Sequence, residues 1–139
     1  MGTWGSGFFE DDASMDFLAD YLEMSDPRQS METAFVATLA ADYVDSELGH
    51  QVLVGCVLIR SAISDELQCG LAGMGGSVGN WIKTANALNF DHLRLTAAMA
   101  CVRVGAEGSE LFELWNEDPD MGSSWNAQVK ELAEWLNAG

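Results

Sequence analysis

Asp45-Ser46-Glu47-Leu48-Gly49-His50-Gln51-Val52-Leu53-Val54-Gly55-Cys56-Val57-Leu58-Ile59-Arg60-Ser61-Ala62-Ile63-Ser64 carries the choice between helix and strand on which the fold class turns. Its middle, Val52 to Ile59, is a nearly unbroken apolar run, and such a run suits a buried strand as well as a buried helix. Spacing over the whole stretch separates the two. Leu48, Val52, Cys56, Ile59 and Ile63 recur at steps of four, four, three and four, which is a helical period. Asp45 stands where a carboxylate can accept a hydrogen bond from a free amide of the first turn. A helix is therefore expected despite the β-branched residues, with a buried strand as the alternative.

Working outward, Phe17, Leu18, Tyr21 and Leu22 share one helical face and Asp16, Asp20 and Glu23 the other. This predicts a helix from about Asp12 that ends at Asp26-Pro27, because proline disfavours helical geometry in the residue before it. A second helix is expected from about Ser30 to Asp42, with Met31, Phe35 and Leu39 as its stripe. Downstream, Gly70 to Gly79 holds five glycines in ten residues and reads as a loop. A short helical stretch around Val78 to Leu88 carries Trp81. Asn89 or Asp91 can then cap a helix from His92 to Val104, with Leu93, Ala97, Ala100, Cys101 and Val104 inward. Gly105 to Gly108 breaks it, and Ser109 caps a short helix to Glu117 with Leu111, Leu114 and Trp115 inward. The last helix is expected to start near Ser123 or Ser124, with the stripe Trp125, Val129, Leu132 and Leu136. Before all of these, Trp4, Phe8 and Phe9 stand among Gly2, Gly5 and Gly7, an irregular segment pinned onto the core. The expectation is an all-α fold, one compact domain over residues 1–139 made of five or six short amphipathic helices.

Charge narrows the function. Twenty-two Asp and Glu stand against six Lys and Arg, a formal net charge of −16 over 139 residues. Direct nucleic-acid binding is not expected, because phosphate contact rests on cations this chain lacks, and an anionic membrane is disfavoured for the same reason. The carboxylates are also concentrated: seven lie between Met1 and Pro27 and six between Glu107 and Asp120, with no Lys or Arg in either stretch. Single-sign surfaces steer oppositely charged partners, although excess carboxylates also serve solubility.

Motifs that would carry chemistry are incomplete. Gly75-Gly76-Ser77-Val78-Gly79 has the Gly-x-Ser-x-Gly form of a nucleophile elbow, but no convincing strand precedes it and His92 has only the adjacent Asp91 as an orienting acid. The same loop lacks the Gly-Lys-Ser/Thr ending of a phosphate cradle. Glu47 and His50 form one Glu-x-x-His pair where di-iron bundles use two, so both histidines read as surface or capping residues. Glu10-Asp11-Asp12 and Glu117-Asp118-Pro119-Asp120 do not follow calcium-loop spacing. Neither metal nor cofactor is expected. Cys56, Cys69 and Cys101 show no CxxC pattern and read as buried apolar residues of a reduced, cytoplasmic protein. Gly2 and Ser6 fit a myristoylation pattern, whereas no secretory signal or membrane-spanning run is seen.

Met1-Gly2-Thr3-Trp4-Gly5-Ser6-Gly7, followed by Phe9-Glu10-Asp11-Asp12 and the helix from Ala13 to Leu22, resembles the MGxWGxG start of a bacterial family of small proteins. That family is known only as a domain of unknown function, number forty-two fifty-nine. The resemblance continues in Tyr43-Val44-Asp45 and in Ser109-Glu110-Leu111-Phe112-Glu113-Leu114-Trp115, and it covers nearly the whole chain, patchily in the middle. It implies an all-helical cytosolic protein and supplies no activity. The function expected from the charge is that of a non-enzymatic acidic binding protein, an immunity or inhibitor protein that neutralises a basic protein partner such as a toxin or a nucleic-acid-processing enzyme. Glu10, Asp11, Asp12, Asp16, Asp20 and Glu23 would form one partner-binding patch, and Glu110, Glu113, Glu117, Asp118 and Asp120 a second. The alternatives are a small-ligand protein or enzyme with a pocket beside the Gly70 to Gly79 loop, and a structural accessory subunit.

Overall fold

The computed structural model describes residues 12–24, 26–64, 81 and 89–138. Within them the chain forms six helices: α1 (Asp12–Glu23), α2 (Arg28–Ala40), α3 (Ser46–Ser64), α4 (Asp91–Val104), α5 (Glu110–Trp115) and α6 (Pro119–Asn137). Among the described residues the extended pairing amounts to one bridge, Val44 with Ser109, so the fold is all-α as expected. The aromatic and glycine-rich opening and the glycine loop at 70–79 lie outside the described residues, as does most of the stretch expected to be helical around Trp81. Trp81 itself is buried, its ring tilted against Phe90 at 6.1 Å between centroids.

The deciding stretch is a helix, and its position explains why it looked ambiguous. Asp45 caps it, with Oδ1 accepting the Leu48 amide at 2.8 Å. Residues 52–59 are then buried without exception, and α1, α2, α4, α5 and α6 all pack against α3. A helix enclosed on every side has no face that must be polar, so the usual amphipathic signal is lost. At Gly49 an added Cβ would come within 2.7 Å of Leu111 Cδ1, and the missing side chain lets α5 sit directly on α3.

α2, α4 and α6 lie beside one another over this central helix. At one end Arg28 Nη1 donates to the Asn89 carbonyl at 3.2 Å, and at the other Arg103 Nη2 donates to the carbonyls of Ala41 at 3.3 Å and Asp42 at 3.0 Å, so α2 and α4 run in the same direction. α6 runs the opposite way along α4. Arg94 Nη2 and Nε donate to the carbonyls of Trp135 at 3.0 Å and Leu136 at 3.2 Å, placing a cation against the negative end of the α6 dipole. The Trp135 ring is held between two guanidiniums, Arg94 at 4.5 Å and Arg60 at 5.1 Å from its centroid, and Arg60 also pairs with Glu131 at 2.9 Å.

Several helix ends differ from expectation. α2 begins at Arg28 and stops at Ala40, because the extended backbone of Ala41 (φ −79°, ψ 140°) ends it before Asp42. Its inner face is Met31, Ala34, Phe35 and Thr38, while Leu39 is 38% exposed. A step of four followed by three tracks the 3.6-residue turn, whereas two steps of four drift off the face. At the start of α4 it is Asn89 whose side chain serves, Oδ1 accepting the Asp91 amide at 2.8 Å. Leu93, Ala97, Ala100, Cys101 and Val104 face inward as expected. α5 is capped by Ser109, as expected, and ends at Trp115 rather than Glu117. Trp115 stacks on Trp125 at 6.3 Å and 6° between planes, which leaves Leu114 at the edge of the contact and 50% exposed instead of inward. α6 starts four or five residues earlier than expected, since Asp118 Oδ1 accepts the amides of Asp120 at 3.0 Å and Met121 at 3.4 Å and Pro119 supplies the first turn. Its stripe of Trp125, Val129, Leu132 and Leu136 is buried as expected.

The break between α4 and α5 closes on Gly108, whose φ of +88° favours glycine. Its carbonyl accepts the Val44 amide at 2.8 Å, and the Glu110 amide returns to the Val44 carbonyl at 2.8 Å. That pair ties the connector before α3 to the start of α5.

Candidate functional site

The first acidic set falls largely on α1. Asp16, Asp20 and Glu23, spaced by four and three, are exposed, while Tyr21 is buried and Phe17 and Leu22 are partly so. α1 contains no Lys or Arg. Asp12 opens the helix, and Glu10 and Asp11 lie outside the described residues. Helix electrostatics does not account for Asp20 and Glu23, which stand in the last turn, where negative charge opposes the dipole and no basic residue offsets it. Burial pushes the Tyr21 hydroxyl up to about 12, so the buried side of α1 stays neutral while its outer side is anionic. Just beyond α1, Arg28 takes Asp26 in a two-pronged contact, Nε to Oδ1 at 2.8 Å and Nη2 to Oδ2 at 2.7 Å, and holds that carboxyl down at about 2.

The second acidic set is mostly engaged in the fold. Glu110 Oε1 accepts the Ser46 amide at 2.9 Å at the start of α3, and Glu113 Oε1 accepts the Tyr43 hydroxyl at 2.9 Å, which raises that tyrosine's pKa. Asp118 caps α6. Glu117 and Asp120 are exposed. Thus three of the five carboxylates brace helix starts or a connector, Glu113 and Asp118 among them while still exposed, and Glu117 and Asp120 face solvent with no such bond among the described residues.

A third surface was not anticipated. Between α4 and α6 runs an apolar groove of about 650 Å³, lined by Ala98, Met99, Val102 and Phe112 and by Val129 and Ala133, with Lys130 and Glu134 also along it. Small residues, Ala98 and Ala133, keep it open. Beside it the outer face of α4 exposes Leu95 (59%), Met99 (50%) and Val102 (58%). These three fall at i, i+4 and i+7, a stripe opposite the inner one. The signal was present in the sequence, but one inner stripe had already satisfied the helix pattern.

His92 is exposed on the first turn of α4, whereas Ser77 and the Gly70 to Gly79 loop lie outside the described residues. His50 is 7% exposed, contrary to the surface position expected, because α3 is covered on all sides. Cys56 and Cys101 are buried as expected, their Sγ atoms 3.4 Å from the Ala97 carbonyl and 3.5 Å from that of Val129; Cys69 lies outside the described residues. No group of three or more His, Cys, Asp or Glu among the described residues is placed to hold a metal ion. No described helix is long and apolar enough to cross a membrane.

No curated protein matches the chain, and no solved structure matches it. Residues 2–128, most of its length and all of the helices up to the middle of α6, match the family described as Domain of unknown function (DUF4259), and the chain belongs to that family.

Proposed function

We propose that this is a non-enzymatic acidic binding protein, an immunity or inhibitor protein that docks a basic protein, such as a toxin or a nucleic-acid-processing enzyme, through the outward face of α1. The observation that carries this reading is the row Asp16, Asp20 and Glu23, exposed on one face of a helix without a cation. Two of the three stand where they weaken the helix that bears them. Charge retained against local stability serves something other than folding, and long-range attraction of a basic surface is what such a row supplies. Glu117 and Asp120 extend the anionic surface at the start of α6, while Glu110, Glu113 and Asp118 are left to their structural bonds.

The test is capture of partners from cells that make the protein, at low and moderate salt, by the wild type and by the Asp16→Lys, Asp20→Lys, Glu23→Lys triple variant. One basic protein held in stoichiometric amount, with association slowed in the variant and by salt, is the expected result. A partner bound equally fast by the triple variant would overturn the assignment to α1, and a stoichiometric partner that is itself acidic would overturn the reading as a whole.

A further inference from the structure

We propose that the outward face of α4 is a homodimer interface, in which the row Leu95, Met99 and Val102 of one copy lies in the α4–α6 groove of the other. This surface is separate from the acidic face of α1, and the proposal does not rest on the partner assigned there.

Three observations lead to a second copy as the occupant. The first is shape. The exposed aliphatic row borders an open apolar groove on the same surface, with Met99 and Val102 forming part of its wall and Leu95 one turn further along α4. Knob and hole on one patch are what an isologous two-fold contact requires, since each copy must offer both.

The second is charge. Although the chain carries −16, α4 sets Asp91 against Arg94 and Arg103 and is the described helix with net positive charge; α2 sets Glu32 against Arg28 and is neutral. A basic partner is drawn to α1, whereas a second copy can approach α4 while the anionic faces stay apart. Along the groove, Lys130 and Glu134 are one turn apart on α6 and opposite in sign, so a two-fold axis passing midway between them would set the lysine of each copy toward the glutamate of the other.

The third is area. With Val36 (53% exposed) and Leu39 (38%) on neighbouring α2, the apolar surface is on the order of 500 Å², the size at which exposed patches are often functional. A stable interface takes about 800 Å² from each partner, so this apolar surface would form its centre and the polar residues around it would supply the remainder.

Sedimentation velocity from micromolar to millimolar protein, at low and moderate salt, tests this. A reversible dimer is expected, and it should tighten as salt rises, because two chains of like charge are screened from each other. Capture of a basic partner has the opposite salt dependence, so the two proposals fail separately. Met99→Lys should weaken dimerisation by roughly 30-fold or more, as for a central interface residue, with the helical signal and thermal midpoint of the protomer unchanged because Met99 is half exposed. Asp20→Lys on α1 should not weaken it. A chain that stays monomeric at millimolar concentration and moderate salt would overturn the proposal, as would a dimer that neither Met99→Lys nor Leu95→Lys weakens. A monomer whose α4 methyl resonances shift on addition of a basic amphipathic peptide would overturn it in favour of that occupant.

Discussion

α1 and α4 both press one face onto α3, yet their opposite faces could hardly differ more. α1 turns Asp16, Asp20 and Glu23 outward, and α4 turns out Leu95, Met99 and Val102. Burial against α3 dictates only the inner residues of each, so the outer ones are free to be anything soluble. That one helix uses the freedom for charge at a cost to its own dipole, and the other for aliphatic side chains that water disfavours, points to two surfaces of different purpose. The folding problem is solved on the inner faces, and the two surfaces proposed for recognition lie on the outer ones.

Leu93 is fully buried on the inner face of α4, and Leu93→Ala should cost about 3 kcal/mol of stability in urea unfolding; a loss under about 1 kcal/mol would mean that α4 is not anchored there. For α1 the corresponding probe is pH. The folded-state pKa of Tyr21 is raised from 10.0 to about 12, so the folded state holds its proton longer than the unfolded chain. Its contribution is complete below pH 10.0 and is lost as pH climbs toward about 12, amounting to roughly 2–3 kcal/mol. Tyr21→Phe should flatten the stability profile across that window, and an unchanged alkaline slope would locate the transition elsewhere.

Smaller effects sharpen the contrast. Removing the bond from the Asn89 side chain to the Asp91 amide, by Asn89→Ala, should cost about 1 kcal/mol in the same unfolding assay and fray the first turn of α4 by amide exchange. On the outer face of α1, Glu23→Lys should leave stability level or raise it by a few tenths of a kcal/mol, since it places a cation in a last turn that has none. A clear loss on that substitution would show that Glu23 supports the fold and would remove it from the recognition surface.

How much of this was legible depends on which physical signal each residue carries. The stripe Trp125, Val129, Leu132 and Leu136, the inner face of α4 and the caps by Asp45 and Ser109 were readable because periodicity and capping are local. The capping bond of Asp118 was not read, because it lies in a run of carboxylates whose density drew attention to charge rather than to the free amides of the next turn. Glu110 and Glu113 bond to Ser46 and Tyr43 from more than sixty residues away, and no local pattern announces that. The sign and excess of charge, the helical period and the class of fold are properties of the sequence itself, because they follow from side-chain chemistry and from spacing along the chain. Which carboxylates are free, and which apolar face is left open, was decided only when distant helices came together, because burial and hydrogen bonding across α3 depend on neighbours that sequence distance does not reveal.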